Sequence, residues 1–141
     1  MKALFILLII LLQSFNSKLE GNWKLSEFTG FELAMKTHGF TNLTEEQKLK
    51  AFNSMQFTLD NTFYNFKGDS LIFTNAGGDF NVTEKKGKFL IKSDTLIVFQ
   101  SNKVKLLKFF ITSLEQEEFK MKVVRNDGTL GPTEMTFSKV E

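Results

Sequence analysis

The chain has 141 residues and no cysteine, which allows one domain of ordinary size and excludes disulfides, thiolate metal sites and cysteine nucleophiles. Eighteen basic against sixteen acidic residues leave a formal charge of +2, too close to neutrality to call for nucleic acid or another polyanion. Packing must therefore hold the fold, and seventeen phenylalanines supply large apolar areas for it.

Residues 1–17 read as an export signal outside the fold. Lys2 precedes an apolar run, Ala3 to Leu12, and a polar, small-residue stretch, Gln13 to Ser17, follows; this is the charge, apolar core and polar tail of a secretory leader. The run is shorter than the roughly twenty residues that span a bilayer, and an uncleaved anchor is the competing reading. Neither Ser14 with Asn16 nor Phe15 with Ser17 gives the small-x-small pattern of a cleavage site, so the cleavage point stays open. The absence of cysteine rules out lipid attachment of the bacterial lipoprotein kind. One arginine among eighteen basic residues, with abundant Phe, Asn and Ile, resembles the composition of an AT-rich bacterial genome. The sequons at Asn42 and Asn81 are then chance matches. The expected product is soluble, periplasmic or secreted, with its domain over residues 18–141.

The first strand is expected around Trp23, the only tryptophan, two residues after Gly21. A helical insert follows. A turn of helix is expected from Phe31 to Thr37, ended by Gly39 in the left-handed conformation that glycine permits. Thr44-Glu45-Glu46-Gln47 is a capping box opening a second helix that runs to about Ser54, with Leu49, Ala51 and Phe52 on its apolar side and Lys48 and Lys50 in water. Such an insert could be a lid over a barrel mouth or a permanent plug of one end.

From Met55 onward, short alternating runs are separated by turn residues, the period-2 signal of half-buried strands. Met55, Phe57 and Leu59 stop at Asp60-Asn61; Thr62 to Lys67 stops at Gly68-Asp69; Ser70 to Asn75 closes at Gly77-Gly78-Asp79. Phe80 and Val82 alternate until Lys85-Lys86-Gly87, Phe89 and Ile91 precede Ser93-Asp94, and Leu96 and Val98 precede Ser101-Asn102. Val104 to Thr112 is more continuously apolar, Phe119, Met121 and Val123 run to Asn126-Asp127-Gly128, and Met135 and Phe137 alternate last, after Pro132. The expected fold is all-β, an up-and-down antiparallel barrel of about eight to ten strands, with the helical insert between the first and second. Short, even connections leave no room for Greek-key crossovers, and closure removes exposed edges.

Gly21-Asn22-Trp23 at the start of such a barrel resembles the Gly-x-Trp motif of the lipocalins. The resemblance implies that Trp23 seals the closed end against a late arginine, here Arg125. The segment Gly87, Phe89, Ile91, Asp94 and Leu96 is similar to one in bacterial exported lipocalin-like proteins, which also carry a helical insert after the first strand. The stretch from Gly21 to Phe40 is similar as well to the opening of the fatty-acid-binding proteins, where a late arginine and a tyrosine two residues on hold a carboxylate; Arg125 has Asp127 at that place.

Catalysis finds few residues to use. His38, the only histidine, sits beside a glycine in a loop, where a solvent-facing or capping role fits. Asp60, Asp69, Asp79, Asp94 and Asp127 stand at turns, and Glu115, Glu117 and Glu118 mark a hairpin tip. Lys120 with Lys122, and Lys103 with Lys105, form outward basic stripes interleaved with acids, a soluble surface. The expectation is a non-enzymatic protein with neither cofactor nor metal, binding a small apolar or amphipathic molecule. The inward candidates are Phe57, Leu59, Phe73, Phe89, Ile91, Leu96, Val98, Phe119, Met121, Met135 and Phe137. The alternative is a barrel filled by these side chains that acts on a protein partner through its loops or outer face.

Overall fold

The structure, a computed structural model, describes residues 18–101 and 106–141. The expected export signal and the start of the run at Val104 lie outside the described residues, as do Lys103 and Lys105. The elements are β1 (Gly21–Phe28), α1 (Thr29–Met35), α2 (His38–Thr41), α3 (Glu45–Asn61), β2 (Phe63–Lys67), β3 (Ser70–Ala76), β4 (Val82–Lys92), β5 (Thr95–Gln100), β6 (Leu106–Leu114), β7 (Glu118–Val124) and β8 (Leu130–Val140). Each strand pairs antiparallel with its neighbours in sequence, and β8 returns to β1 to close an eight-stranded up-and-down barrel. The helical segment falls after the first strand, as expected.

Alternation chooses the inward set, because successive side chains on a strand point to opposite faces. Trp23 and Leu25, Tyr64 and Phe66, Leu71 and Phe73, Leu96 and Val98, and Phe119 and Met121 are buried, with more exposed neighbours between them. Two ends follow from the topology. The start of β1, the β2–β3, β4–β5 and β6–β7 hairpins and the end of β8 gather at one; the helical segment, the β3–β4 and β7–β8 connections, the end of β5 and the start of β6 gather at the other.

Trp23 seals the first of these ends. It is fully buried, its indole Nε1 donates to the Leu19 carbonyl at 2.7 Å, and its ring meets Phe119 edge-on at 4.9 Å. The expected cation is not Arg125. Arg125 follows the last residue of β7, which starts at the sealed end, so it lies exposed at the opposite end. Lys139, the cross-strand partner of Trp23, places its Nζ 5.3 Å from the ring centroid instead. Gly21 makes room for it. With φ of +125° and no side chain, Gly21 lets the Lys139 stem pass where a Cβ would approach its Cε to 3.1 Å.

Four local expectations change. Met55, Phe57 and Leu59 belong to α3, not to a strand: Met55 and Leu59 are also four apart, a helical spacing, and the helix started by the capping box continues past Ser54 to Asn61. Both halves of that box are made, with Gln47 N donating to Thr44 Oγ1 at 3.2 Å and Thr44 N to Gln47 Oε1 at 2.9 Å. Gly39 lies inside α2 and ends no helix. Lys85-Lys86-Gly87 is no turn; β4 runs through it as one long strand. Pro132 lies inside β8 rather than before it, at an irregularity in the pairing with β7 between Lys122 and Val124, where its missing N–H breaks no regular ladder.

The insert is fastened beside the barrel at the open end. Leu25 N donates to Thr62 O at 2.9 Å, Thr74 Oγ1 to Asn61 O at 2.6 Å, and Ser54 Oγ to Gly78 O at 3.3 Å. Phe57 meets Phe80 of the β3–β4 connection at 5.2 Å. Lys24 Nζ reaches Asp60 at 3.1 Å, and Gln56 Nε2 donates to the other oxygen of that carboxylate at 3.0 Å.

Gly87 carries the close approach of β4 to β5, since a Cβ there would be driven into the Phe99 carbonyl oxygen. Gly87→Ala is expected to destabilise the protein by about 1–3 kcal/mol, seen as a lower urea midpoint with unchanged slope; an unshifted midpoint would contradict this approach. The hydrogen bond from Gln56, with the Lys24 ammonium second, holds the Asp60 carboxyl below the usual carboxylate range. A depressed folded value means stabilisation present above the unfolded value, near pH 4, and lost as pH falls through the folded one. Asp60→Asn should therefore make the melting temperature fall less steeply below about pH 4, and parallel profiles for variant and parent would count against the Asp60 anchor.

Candidate functional site

The lower part of the barrel is solid. Phe119 stacks on Phe137 at 4.8 Å with 5° between planes, and Phe66 meets Phe89 at 5.0 Å and Phe119 at 6.2 Å. Trp23, Phe66, Leu71, Leu96, Val98, Phe119, Met121 and Phe137 are essentially without exposure, so these side chains leave no ligand space between them. An eight-stranded barrel is narrow enough to be filled in this way.

The open end differs. A recess of about 310 Å³ lies there, lined by Phe73, Phe109, Leu107 and Tyr64 together with Asn75, Lys85 and Gln100. Its size sits at the lower edge of the roughly 300–1,000 Å³ usual for small-molecule sites. The buried rings of Phe73 and Phe109 are its deeper part, and half-buried Lys85 and Gln100 with exposed Asn75 provide polar atoms. Tyr64, Phe73 and Lys85 form one cross-strand row over β2, β3 and β4. Burial pushes the Tyr64 phenol well above its usual range.

Of the eleven candidates drawn from alternation, Phe73 alone lines this recess. Phe89, Ile91, Leu96, Val98, Phe119, Met121, Met135 and Phe137 are on strands and pack into the core, Met135 only partly buried. Phe57 and Leu59 lie on α3, where Phe57 faces Phe80 and Leu59 packs against the core from outside the strands. No residue of α3 lines the recess. Trp23 is buried at the end where β1 starts, with Gly21 against the Lys139 stem; Arg125 and Asp127 lie in the exposed β7–β8 turn and offer no inward carboxylate clamp.

Sequence reasoning missed Tyr64, Asn75, Lys85, Gln100, Leu107 and Phe109. Lys85 had a signal: it shares a strand face with Gly87, Phe89 and Ile91 once Gly87 is read as part of a strand. Phe109 lay in a run too evenly apolar for alternation to choose a face.

A larger hollow of about 450 Å³ lies at the sealed end, between Lys18, Leu114, Glu115, Gln116 and Lys139. It is outside the barrel, and its rim at Lys18 borders residues that are not described. His38 is exposed at the start of α2, where Thr37 makes the cap. Among the described residues no three His, Asp or Glu side chains converge as metal ligands, and no helix is long and apolar enough to cross a membrane.

No family model matches the chain, and no curated protein matches it. Solved structures do match in fold. A lipocalin-like protein from Bacteroides uniformis is similar with a TM-score of 0.52 at 16% identity, covering 87% of this chain and 99% of that one. A protein described as uncharacterized, from Bacteroides eggerthii, gives 0.50 at 12% identity over 86% and 98%. The fold is thus a lipocalin-like barrel, which agrees with the resemblance carried by Gly21 and Trp23.

Proposed function

We propose that this is an exported, non-enzymatic binding protein that takes a small apolar or amphipathic molecule into the recess at the open end. The observation that carries the reading is the contrast between the two ends. Rings and aliphatic side chains occupy the barrel from Trp23 upward, whereas beside Phe73 and Phe109 the interior opens to solvent with mixed apolar and polar walls. A few convergent polar groups over an apolar base is the usual make-up of a ligand site. The lipocalin-like fold is compatible with that use of a barrel mouth. Export rests on residues 1–17, where Lys2, the run from Ala3 to Leu12 and the polar tail have the make-up of a secretory leader.

The site predicts a small ligand. At about 30 Å³ of liquid volume per water, the recess equals about ten waters, so a molecule with on the order of ten non-hydrogen atoms fills it. Titration of isotope-labelled protein with n-octanol, followed by amide NMR, should give saturable shifts at Phe73, Asn75, Lys85, Gln100 and Phe109 while the Trp23 indole N–H stays put. Affinity on the order of millimolar is expected for so few atoms. Absence of any saturable shift, or shifts centred on Trp23 and Phe119, would overturn the reading.

A further inference from the structure

Charge is not spread evenly along the chain. Val82 to Leu114 holds seven lysines and two acids, so the remainder of a protein at +2 is net acidic. This segment forms one wall of the barrel, made of β4, β5 and β6. Register sets the outward residues of that wall: Lys88 is opposite Phe99 and Phe99 opposite Leu106, while in the next row Leu90 is opposite Ile97 and Ile97 opposite Lys108. Directly opposed residues are about 5 Å apart at Cβ, so Leu90, Ile97, Phe99 and Leu106 form one continuous apolar patch, flanked by Lys88, Lys92 and Lys108. Leu90, Phe99 and Leu106 are exposed and Ile97 is partly so. The insert packs elsewhere, α3 chiefly against β1 and β3 and α1 against β8. Among the described residues neither Lys92 nor Lys108 meets a carboxylate. The lysines of β7 differ, since Lys120 reaches Glu118 at 3.6 Å.

We propose that this outer wall docks on an anionic lipid bilayer, with Phe99 and its apolar neighbours at the boundary of headgroups and acyl chains and the flanking ammonium groups at lipid phosphates. Charge and composition together choose the occupant. Lysine stems lie along apolar surface while their heads stay in a polar layer, and the headgroup layer of an anionic membrane carries the complementary charge. Apolar contact and attraction to anionic lipid then add in one binding mode. A second copy of the chain fits badly. An isologous contact would set ammonium against ammonium, and four partly exposed side chains fall short of the roughly 800 Å² per partner of a stable interface. The wall is outside the barrel, so the inference does not depend on what the recess binds.

The test is co-sedimentation with vesicles of phosphatidylcholine, alone or with one-third phosphatidylglycerol. It uses residues 18–141, which hold the whole closed barrel, so that the apolar run from Ala3 to Leu12 cannot itself partition into lipid. The expected result is binding to the phosphatidylglycerol vesicles at about 0.1 M salt, little binding to phosphatidylcholine alone, and release at about 1 M salt, where the screening length falls from about 10 to about 3 Å. Lys92→Gln with Lys108→Gln should weaken partition about 25-fold, near fivefold for each lysine at an anionic surface. Phe99→Gln with Leu106→Gln should weaken it about tenfold, and Lys120→Gln should leave it unchanged. Unaltered emission from buried Trp23 reports that each variant is folded. Equal binding to both vesicles, no binding to the charged ones at low salt, or a loss from Lys120→Gln as large as that from the Lys92 and Lys108 pair overturns the proposal. A dimer in light scattering that Phe99→Gln with Leu106→Gln returns to monomer makes the wall a contact between copies and overturns it too. Poly-glutamate bound as tightly as the vesicles, and indifferent to that apolar pair, points to a soluble acidic partner with the same consequence.

Discussion

A column of aromatic rings runs along the barrel, and the other features of the structure are arranged around it. Trp23 meets Phe119 at 4.9 Å, Phe119 stacks on Phe137 at 4.8 Å, Phe137 meets Tyr64 at 4.8 Å and Tyr64 meets Phe73 at 5.2 Å. The chain of contacts starts at the sealed end and finishes at the recess. With no disulfide possible, this packing and the closed ladder of backbone hydrogen bonds must offset the conformational entropy of ordering the chain. Aromatic pairs in edge and offset arrangements add about 0.5–1.5 kcal/mol each beyond the area that they bury.

The same column explains why the recess is shallow and lies at one end. Where the rings stop, at Tyr64 and Phe73, the inward positions of the neighbouring strands change character, to Asn75, Lys85 and Gln100. Polar inward residues are tolerated there because the barrel opens to water, whereas a few residues deeper each would need its own partner. The helical insert does not fill this opening. It is bonded to β1, β3 and the β3–β4 connection, and it keeps Leu49 at 61% and Phe52 at 46% exposure. Mechanically it borders the mouth, while the seal of the barrel is made at the other end by Leu19, Trp23 and Lys139.

Much of this architecture was legible in the residues. Hairpin punctuation by Gly68-Asp69, Ser93-Asp94 and Asn126-Asp127-Gly128 placed three of the turns, and the capping box at Thr44 placed the start of α3 to the residue. What was hidden has physical causes. The end of α3 was lost because Met55 and Leu59 satisfy both a strand period and a helical one. Gly87 looked like a turn because glycine beside lysines usually is one; here it is required by the closeness of a neighbouring strand, which is a long-range fact. That single misreading concealed Lys85, since a residue in a turn has no inward face. The cation over Trp23 was assigned to Arg125 by family analogy, and only the β1–β8 register puts Lys139 there. The recess itself depends on which of many inward side chains stop short of touching, and alternation carries no information about that.

Among the described residues the barrel is filled from Trp23 to Tyr64 and opens at its mouth, and on this both the seal and the proposed site depend. Xenon binding tests it most directly, because the gas enters any apolar cavity large enough to hold it, whatever the natural ligand is. Crystals of the protein under xenon pressure should show the atom at the recess beside Phe73 and Phe109 and nowhere among Trp23, Phe66, Phe119 and Phe137. Xenon seated between those four rings would reveal a hollow barrel and contradict the filled core.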